Sequence, residues 1–217
     1  MMSVPLSSLM LAGLVFGLCV LLFQCMSVRW RGDLCGIDPA ECWQAGSAAM
    51  AVMAHSALVT FCSLVPSEGD VYRTAGVVLL SLFLLRLTLT DLMTGLLPRE
   101  LTVSCLLAGL LFTTGNGELT GHILAALVLW LLLAVARAVA GWLYRMEALG
   151  LGDVWMGSAL GAWLGFFPAV TALLMAWSGC LLWMLLSGTR KTALGPWMSY
   201  SAQAVVLLTF IEPFVVW

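Results

Sequence analysis

The run GHILAALVLWLLLAVARAVAGWL occupies residues 121–143 and contains one Arg or Lys, Arg137, and no acidic residue. A helix needs about 20 mostly apolar residues to cross the hydrocarbon core of a bilayer, so this run predicts a membrane-spanning helix. The rest of the chain has a similar composition. Of its 217 residues 62% are hydrophobic and 9% are charged, whereas soluble domains are about 25% charged. The composition therefore favours a membrane protein and excludes a water-soluble fold.

Outward from this run, further apolar stretches predict eight spans, at residues 4–25, 45–65, 72–90, 101–115, 121–143, 154–166, 169–187 and 202–217. Each span should be helical, because lipid offers no hydrogen-bond partners to an open backbone. The expected fold is an all-α, polytopic membrane helix bundle of about eight transmembrane helices. We expect residues 1–70 to hold two of them with a short cytoplasmic loop, and residues 71–217 to form a six-helix core. Residues 4–25 are predicted to be a retained span, since no charged residue precedes them.

The basic residues of the loops predict the orientation of the bundle, because cytoplasmic loops are enriched in Lys and Arg. With the N-terminus outside, six Lys and Arg residues fall in inner loops, whereas Arg73 alone falls in an outer loop. This arrangement places Asp91, at the end of the third span, and Asp153, at the start of the sixth span, on the cytoplasmic face. The two carboxylates are therefore expected at the same membrane edge.

The local sequence suggests that both carboxylates have a purpose. Asp91 is predicted at a helix C-terminus, where the helix dipole disfavours a negative charge. Asp153 follows two glycines, Gly150 and Gly152, and is predicted to be the N-cap of the next helix. Glycines then recur at every fourth position after Asp153, at Gly157, Gly161 and Gly165. Such a stripe occupies one helix face and predicts a close helix contact, which would turn Asp153 toward the interior of the bundle.

Two inward carboxylates at one depth suggest acid–base chemistry. Two neighbouring carboxyl groups cannot both ionise without a large cost in free energy. One carboxyl therefore keeps its proton, while the other activates a water molecule. The histidines offer no competing nucleophilic site: His55 is predicted to be a packing residue in mid-span, and His122 lies at an outer helix end. Two aspartates without a cluster of His or Cys are a poor zinc site. We therefore expect no metal and no cofactor.

Three segments resemble, in order, the motifs of the type IV prepilin peptidases, a branch of the GxGD membrane aspartic proteases. The first is DLMTGLLPRELT at residues 91–102, in which Pro98, a polar pair and Leu-Thr follow the aspartate. The second is EALGLGDV at residues 147–154, and the third, weaker one is ALGPW at residues 193–197. The resemblance covers residues 72–200, and it rests on three ordered motifs rather than on a lone Gly-x-Gly-Asp.

The resemblance implies an endopeptidase that cuts the short basic leader from prepilins or pseudopilins at the cytoplasmic face of a bacterial inner membrane. It implies that Asp91 and Asp153 are catalytic. The residues expected to support them are Gly150, Gly152, Pro98 and Glu147. The expected partners are the prepilin or pseudopilin substrates and the lipid bilayer. No basic run suggests nucleic acid, and homo-oligomerisation stays open.

Two departures from the family pattern qualify this expectation. Many relatives carry a cytoplasmic domain with paired Cys-x-x-Cys motifs, tied to zinc and to N-methylation of the product. Here the corresponding loop, residues 26–44, contains only Cys35 and Cys42, with six residues between them. We therefore expect a short form without zinc, and methyltransferase activity is doubtful. In addition, Trp155 stands where the family tends to carry a lysine, so a basic neighbour of Asp153 is absent from that position.

Three other functions compete with this hypothesis. A proton-coupled transporter could use both aspartates as a relay, but it predicts mid-membrane carboxylates and usually an internal repeat, which the sequence does not contain. A non-catalytic scaffold of a pilus or secretion assembly is compatible with the helices, although it gives no reason for both aspartates. A presenilin-type GxGD protease would have Tyr before its first aspartate, whereas Thr90 precedes Asp91.

Overall fold

The structure is a computed structural model, and it describes residues 51, 53–55, 57, 71–145, 149–188 and 192–211. The described residues contain helices and no strand. In chain order the elements are α1 (Val71–Thr94), α2 (Arg99–Thr113), a 3-10 helix (Thr114–Asn116), α3 (Leu119–Tyr144), α4 (Leu151–Leu164), α5 (Phe166–Ser187) and α6 (Gly195–Ile211).

Three of these helices are long and apolar enough to cross a membrane: Ala75–Leu92 within α1, Leu119–Leu143 within α3, and all of α5. The other three are shorter as described, with 15 residues in α2, 14 in α4 and 17 in the described part of α6. At about 1.5 Å per residue they extend less than the hydrocarbon core of about 30 Å. The described part is thus a helical, membrane-type bundle. The first predicted span, 4–25, lies outside the described residues, and so does most of the second, 45–65.

Several helices begin earlier than the sequence predicts. The last helix begins at Gly195 rather than at residue 202, and α5 begins at Phe166 rather than at residue 169. Both regions contain a proline, Pro196 and Pro168, which in the sequence alone indicates a boundary. A proline fits the first turn of a helix, because the N–H that it lacks would have no partner there.

Helix α4 lies at the centre of the bundle and packs against α2, α3, α5 and α6. Its predicted glycine stripe is confirmed as a close contact. A Cβ atom on Gly161 would lie 2.9 Å from the backbone carbon of Ala125 in α3. Two hydrogen bonds of 2.9 Å tie α4 to its neighbours: the Ser158 hydroxyl donates to the Ala126 carbonyl, and the Trp163 indole donates to the Cys105 carbonyl. This packing fixes the position of the first turn of α4.

The role predicted for His55 is confirmed. Its side chain is buried, and Nδ1 lies 2.6 Å from the carbonyl oxygen of Ala51. The imidazole ring packs beside Tyr200 of α6, with ring centroids 6.3 Å apart. His55 is therefore a helix-contact residue.

Candidate active site

Asp91 lies in the last turn of α1, and its side chain is 5% exposed. Its Oδ2 accepts a hydrogen bond of 2.9 Å from the backbone N–H of Gly195, the first residue of α6. The N-terminus of a helix carries partial positive charge. The carboxylate that is disfavoured at the end of its own helix is therefore compensated by the start of another helix.

Gly195 is buried against this carboxylate. A Cβ atom at this position would lie 2.5 Å from Asp91 Oδ2, well inside contact distance. The hydrogen bond between α6 and Asp91 therefore requires a residue without a side chain. Gly195 belongs to the third and weakest sequence motif, and the sequence alone predicts no role for it in the site.

Asp153 is the third residue of α4 and not its N-cap, so that prediction is wrong. The N-cap is Gly150, and Asp153 Oδ2 accepts a hydrogen bond of 3.1 Å from the Gly150 backbone N–H. A carboxylate at this position can reach back to the N-cap because the first helical N–H groups have no intrahelical partner. Gly150 thus has a definite part in the site: it begins α4 and donates to Asp153.

The Asp153 carboxyl is half-buried and lies outside the three candidate spans. Burial, followed by the negative charge of Asp91, raises its pKa from an ordinary 3.8 to about 6, while the hydrogen bond from Gly150 opposes the shift. Asp91 is thus close enough to act on Asp153. The ends of α1, α4 and α6 bring together the two carboxylates that the sequence predicts to be a pair.

The connection between α1 and α2 packs against two glycines of the site. A Cβ atom on Gly152 would lie 2.5 Å from the carbonyl oxygen of Leu97, and one on Gly195 would lie 3.2 Å from Leu97 Cδ1. Leu97 is therefore in close contact with a glycine beside each aspartate. Gly152, which the sequence predicts as a supporting residue, serves to let this backbone approach α4.

Pro98 is the N-cap of α2 and has an extended backbone, with φ −60° and ψ 131°. Its carbonyl accepts hydrogen bonds from the backbone N–H groups of Leu101 and Thr102, at 3.1 and 3.2 Å. Pro98 thus ends the connection that contains Leu97 and starts α2. Glu147, the remaining residue that the sequence predicts for the site, lies outside the described residues.

A cation packs on Trp155, the residue that stands in place of the family lysine. The Arg99 guanidinium, at the start of α2, lies over the Trp155 ring, 5.3 Å from its centroid. A guanidinium in this position is attracted to the negative face of the ring. This contact between α2 and α4 is one that the sequence alone did not indicate.

Metal binding has little support in the part of the chain that the structure describes. No group of three or more His, Cys, Asp and Glu side chains there could hold a metal ion. The cysteine loop at residues 26–44 lies outside that part, so the expectation about zinc stays a prediction. A pair of carboxyls that shares one proton can instead act directly as an acid and a base.

The sequence has relatives among known proteins. Residues 78–185 match the type IV leader peptidase family. The chain is 39% identical over 137 residues to the prepilin leader peptidase/N-methyltransferase of Pectobacterium carotovorum subsp. carotovorum, covering 57% of this chain and 48% of the relative. A protein of the same name from Klebsiella pneumoniae is 40% identical over 113 residues, covering 46% and 45%.

The protein of this name from Dickeya chrysanthemi is 33% identical over 134 residues, covering 56% of this chain and 46% of the relative. This chain therefore spans about half the length of these curated relatives. No solved structure matches it. The family match includes both Asp91 and Asp153, all of α4 and most of α1. The chain belongs to the type IV leader peptidase family, the prepilin peptidases.

Proposed function

We propose that this protein is a membrane aspartic endopeptidase that removes the short basic leader from type IV prepilins or pseudopilins, with Asp91 and Asp153 as its catalytic pair. The observation that carries the proposal is the convergence of these two carboxyls at one end of the bundle. One is buried and held by the Gly195 N–H, and the other is half-buried, in the first turn of α4. The substrate class follows from the names of the relatives.

In the proposed mechanism the ionised carboxylate takes a proton from a water molecule, whose oxygen attacks the carbonyl carbon of the scissile peptide. The protonated carboxyl donates a hydrogen bond to the carbonyl oxygen and stabilises the charge that develops there. The C–N bond then breaks as the leaving amine takes up a proton. Asp153 is the more accessible carboxyl, because it is half-buried whereas Asp91 is 5% exposed.

The remaining proposals concern the placement of the protein. We place it in a bacterial inner membrane with the aspartates on the cytoplasmic side, because the inner loops then contain most of the Lys and Arg residues. We propose residues 71–217 as the six-helix catalytic core and residues 1–70 as two further transmembrane helices. We propose peptidase activity and do not extend the proposal to N-methylation, since the loop at 26–44 contains no paired Cys-x-x-Cys motif.

The test is co-expression of the full chain with a prepilin that carries a short basic leader before its hydrophobic helix. Loss of the leader is followed by gel shift and N-terminal sequencing, for the wild type and for Asp91→Asn and Asp153→Asn. Asn keeps the size of the side chain but cannot act as the acid or the base. We expect cleavage by the wild type and a loss of at least about a thousandfold in each variant, as in other enzymes that lose one member of a catalytic group.

Glu118→Gln is the matched control, because it removes a carboxylate that is exposed and lies at the start of α3. This variant should cleave at the wild-type rate, and all variants should be present in the membrane at equal amounts. Cleavage at the wild-type rate by either aspartate variant would exclude the two-carboxyl mechanism and would leave a scaffold or a transporter as the better hypothesis.

A further inference from the structure

A groove with a volume of about 530 Å³ runs along the second half of α3. Its wall on this helix consists of residues three or four positions apart, which form one face: Trp130, Ala134, Arg137, Ala138, Gly141 and Arg145. At about 1.5 Å per residue this wall is about 22 Å long. The groove is therefore elongated, and its length lies along the direction of a membrane-spanning helix.

The opposite wall of the groove is the start of α4. Leu151 and Val154 line it, and these residues flank Asp153 in the first turn of that helix. The groove therefore opens at the same end of the bundle as the two aspartates. It does not include either aspartate, so it is a separate feature of the molecule.

The polarity of the groove changes along its length. Arg145 lies at the end next to the aspartates, and Arg137 lies two turns deeper, with its Nε donating a hydrogen bond of 3.0 Å to the Leu149 carbonyl. Beyond Arg137 the wall is formed by Ala134 and the Trp130 ring. None of the described residues that line the groove is acidic. One end thus suits an anion, and the other suits a hydrocarbon chain.

We propose that this groove binds one anionic phospholipid of the surrounding bilayer. The phosphate lies between Arg145 and Arg137, and an acyl chain extends along α3 toward Trp130. Basic pockets between transmembrane helices at the cytoplasmic edge are suited to anionic headgroups, and arginine forms bidentate contacts with phosphate. A bound lipid of this kind would contact Leu151 and Val154, and would thereby stabilise the turn that holds Asp153.

Charge and surroundings favour a lipid over a peptide as the occupant. The proposed leader is basic, so two arginines would repel it. The outward face of α3 next to the groove is apolar and exposed, with Val135 52% and Trp142 81% exposed, so it is a surface that faces lipid. A phospholipid in the bilayer reaches the groove from that side without leaving its own environment.

The test is binding of phosphatidylglycerol to the purified full chain in phosphatidylcholine nanodiscs, followed by native mass spectrometry of the released protein and by thermal unfolding. We expect one retained phosphatidylglycerol per chain and a higher unfolding temperature as its fraction rises. Arg145→Asn should weaken retention about fivefold, as expected for the loss of one basic residue at an anionic lipid. Asn is chosen because Arg145 has a left-handed backbone, with φ 53°, which Asn tolerates.

Two further variants separate a specific site from general charge. Ala138→Phe keeps both arginines but fills the groove, and it should also reduce retention. Arg99→Gln removes a cation from the same end of the bundle but outside the groove, and it should bind as the wild type does. If Arg99→Gln loses as much lipid as Arg145→Asn, or if Ala138→Phe loses none, the proposal is overturned, because the attraction is then diffuse.

A final experiment distinguishes a bound phospholipid from a soluble phosphate. Inorganic phosphate or soluble glycerol phosphate, added to nanodiscs of pure phosphatidylcholine, should not raise the unfolding temperature. Equal stabilisation by either soluble anion would overturn the assignment to a lipid. Because every readout is binding or stability, a negative result here leaves the peptidase proposal untouched, and the reverse also holds.

Discussion

The buried carboxylate of Asp91 accepts a hydrogen bond from the backbone N–H of Gly195. The position of this carboxylate therefore depends on residue 195 having no side chain. The helix dipole of α1 disfavours charge at Asp91, whereas the N-terminus of α6 favours it. The dipole of α6 offsets that of α1 only if α6 begins in direct contact with the Asp91 carboxylate. The space at Gly195 is therefore part of the site.

Gly195→Ala should slow prepilin cleavage at least about tenfold, because the added Cβ would lie 2.5 Å from Asp91 Oδ2 and must displace either α6 or the carboxylate. A displacement of about 1 Å in an active site is enough for such a loss. The measurement is the initial rate of leader removal by purified protein. Gly121→Ala, in α3, is the control, because a Cβ at Gly121 meets nothing within 4 Å. Equal rates for both variants would show that Asp91 does not need its contact with α6.

The protonation of Asp153 predicts how activity depends on pH. Burial and the charge of Asp91 raise its pKa to about 6, so in the proposed mechanism the pair loses its shared proton as the pH rises through that value. Because the mechanism needs one protonated carboxyl, kcat/KM should fall about tenfold for each pH unit above the pKa. The measurement is kcat/KM between pH 5.5 and 8.5, with thermal stability recorded in parallel. A flat profile with unchanged stability would contradict the shared-proton mechanism.

Among the elements, α4 has the largest part in positioning the site, since four other helices pack against it. It is also short and rich in glycine. Because glycines line the face that packs on α3, the backbones of the two helices come into close contact. The contacts of Gly157 with Leu133 and of Gly161 with Ala125 lie one and two turns below Asp153. The orientation of the carboxylate therefore depends on a helix interface rather than on its own hydrogen bond alone.

Gly161→Val tests that interface. The added side chain should separate α4 from α3 and destabilise the protein by about 1–3 kcal/mol, the usual range for an overpacked core. Thermal unfolding of the purified protein in detergent measures the change. Gly121→Val, on an open part of α3, is the matched control and should shift the unfolding temperature much less. If the two variants unfold at the same temperature, the glycine stripe is not a packing surface.

The helices themselves were predictable, because uninterrupted apolar runs in a membrane leave helix as the available structure. The residues at which the helices begin were harder to predict. Pro168 and Pro196 look like boundaries in the sequence but lie in first turns, where a missing N–H costs little. The placement of both aspartates at one end of the bundle was predictable from the motifs and the basic residues of the loops. The contact of Asp91 with Gly195 was not, because 104 residues separate them and no local pattern encodes such a contact.

At the scale of the whole molecule, contacts between helix ends sort the connections of the described helices into two groups. Leu97 contacts Gly152 and Gly195 at one end of the bundle, whereas His122, at the start of α3, lies 3.0 Å from the Ala162 carbonyl at the other end. The connection from α1 to α2, which contains Leu96, Leu97 and Pro98, lies at the end that holds both aspartates. The turn before α3, which contains Gly117 and Glu118, lies at the other end. The bundle thus has two ends, and both aspartates lie at one of them. A substrate can be cut only on the side of the membrane that this end faces.

The proposed orientation predicts the accessibility of these two ends. Leu96→Cys, at a position that is 69% exposed, and Glu118→Cys, at a side chain that is 78% exposed, are introduced separately into a chain without its native cysteines. A membrane-impermeant maleimide should label Leu96→Cys in inverted inner-membrane vesicles and Glu118→Cys in spheroplasts, because the Lys- and Arg-rich end faces the cytoplasm. Retained prepilin cleavage by both variants is the control for native folding. The reverse labelling pattern would place the aspartates on the outer face of the inner membrane. It would contradict cleavage of a cytoplasmic leader, even if both aspartates are catalytic.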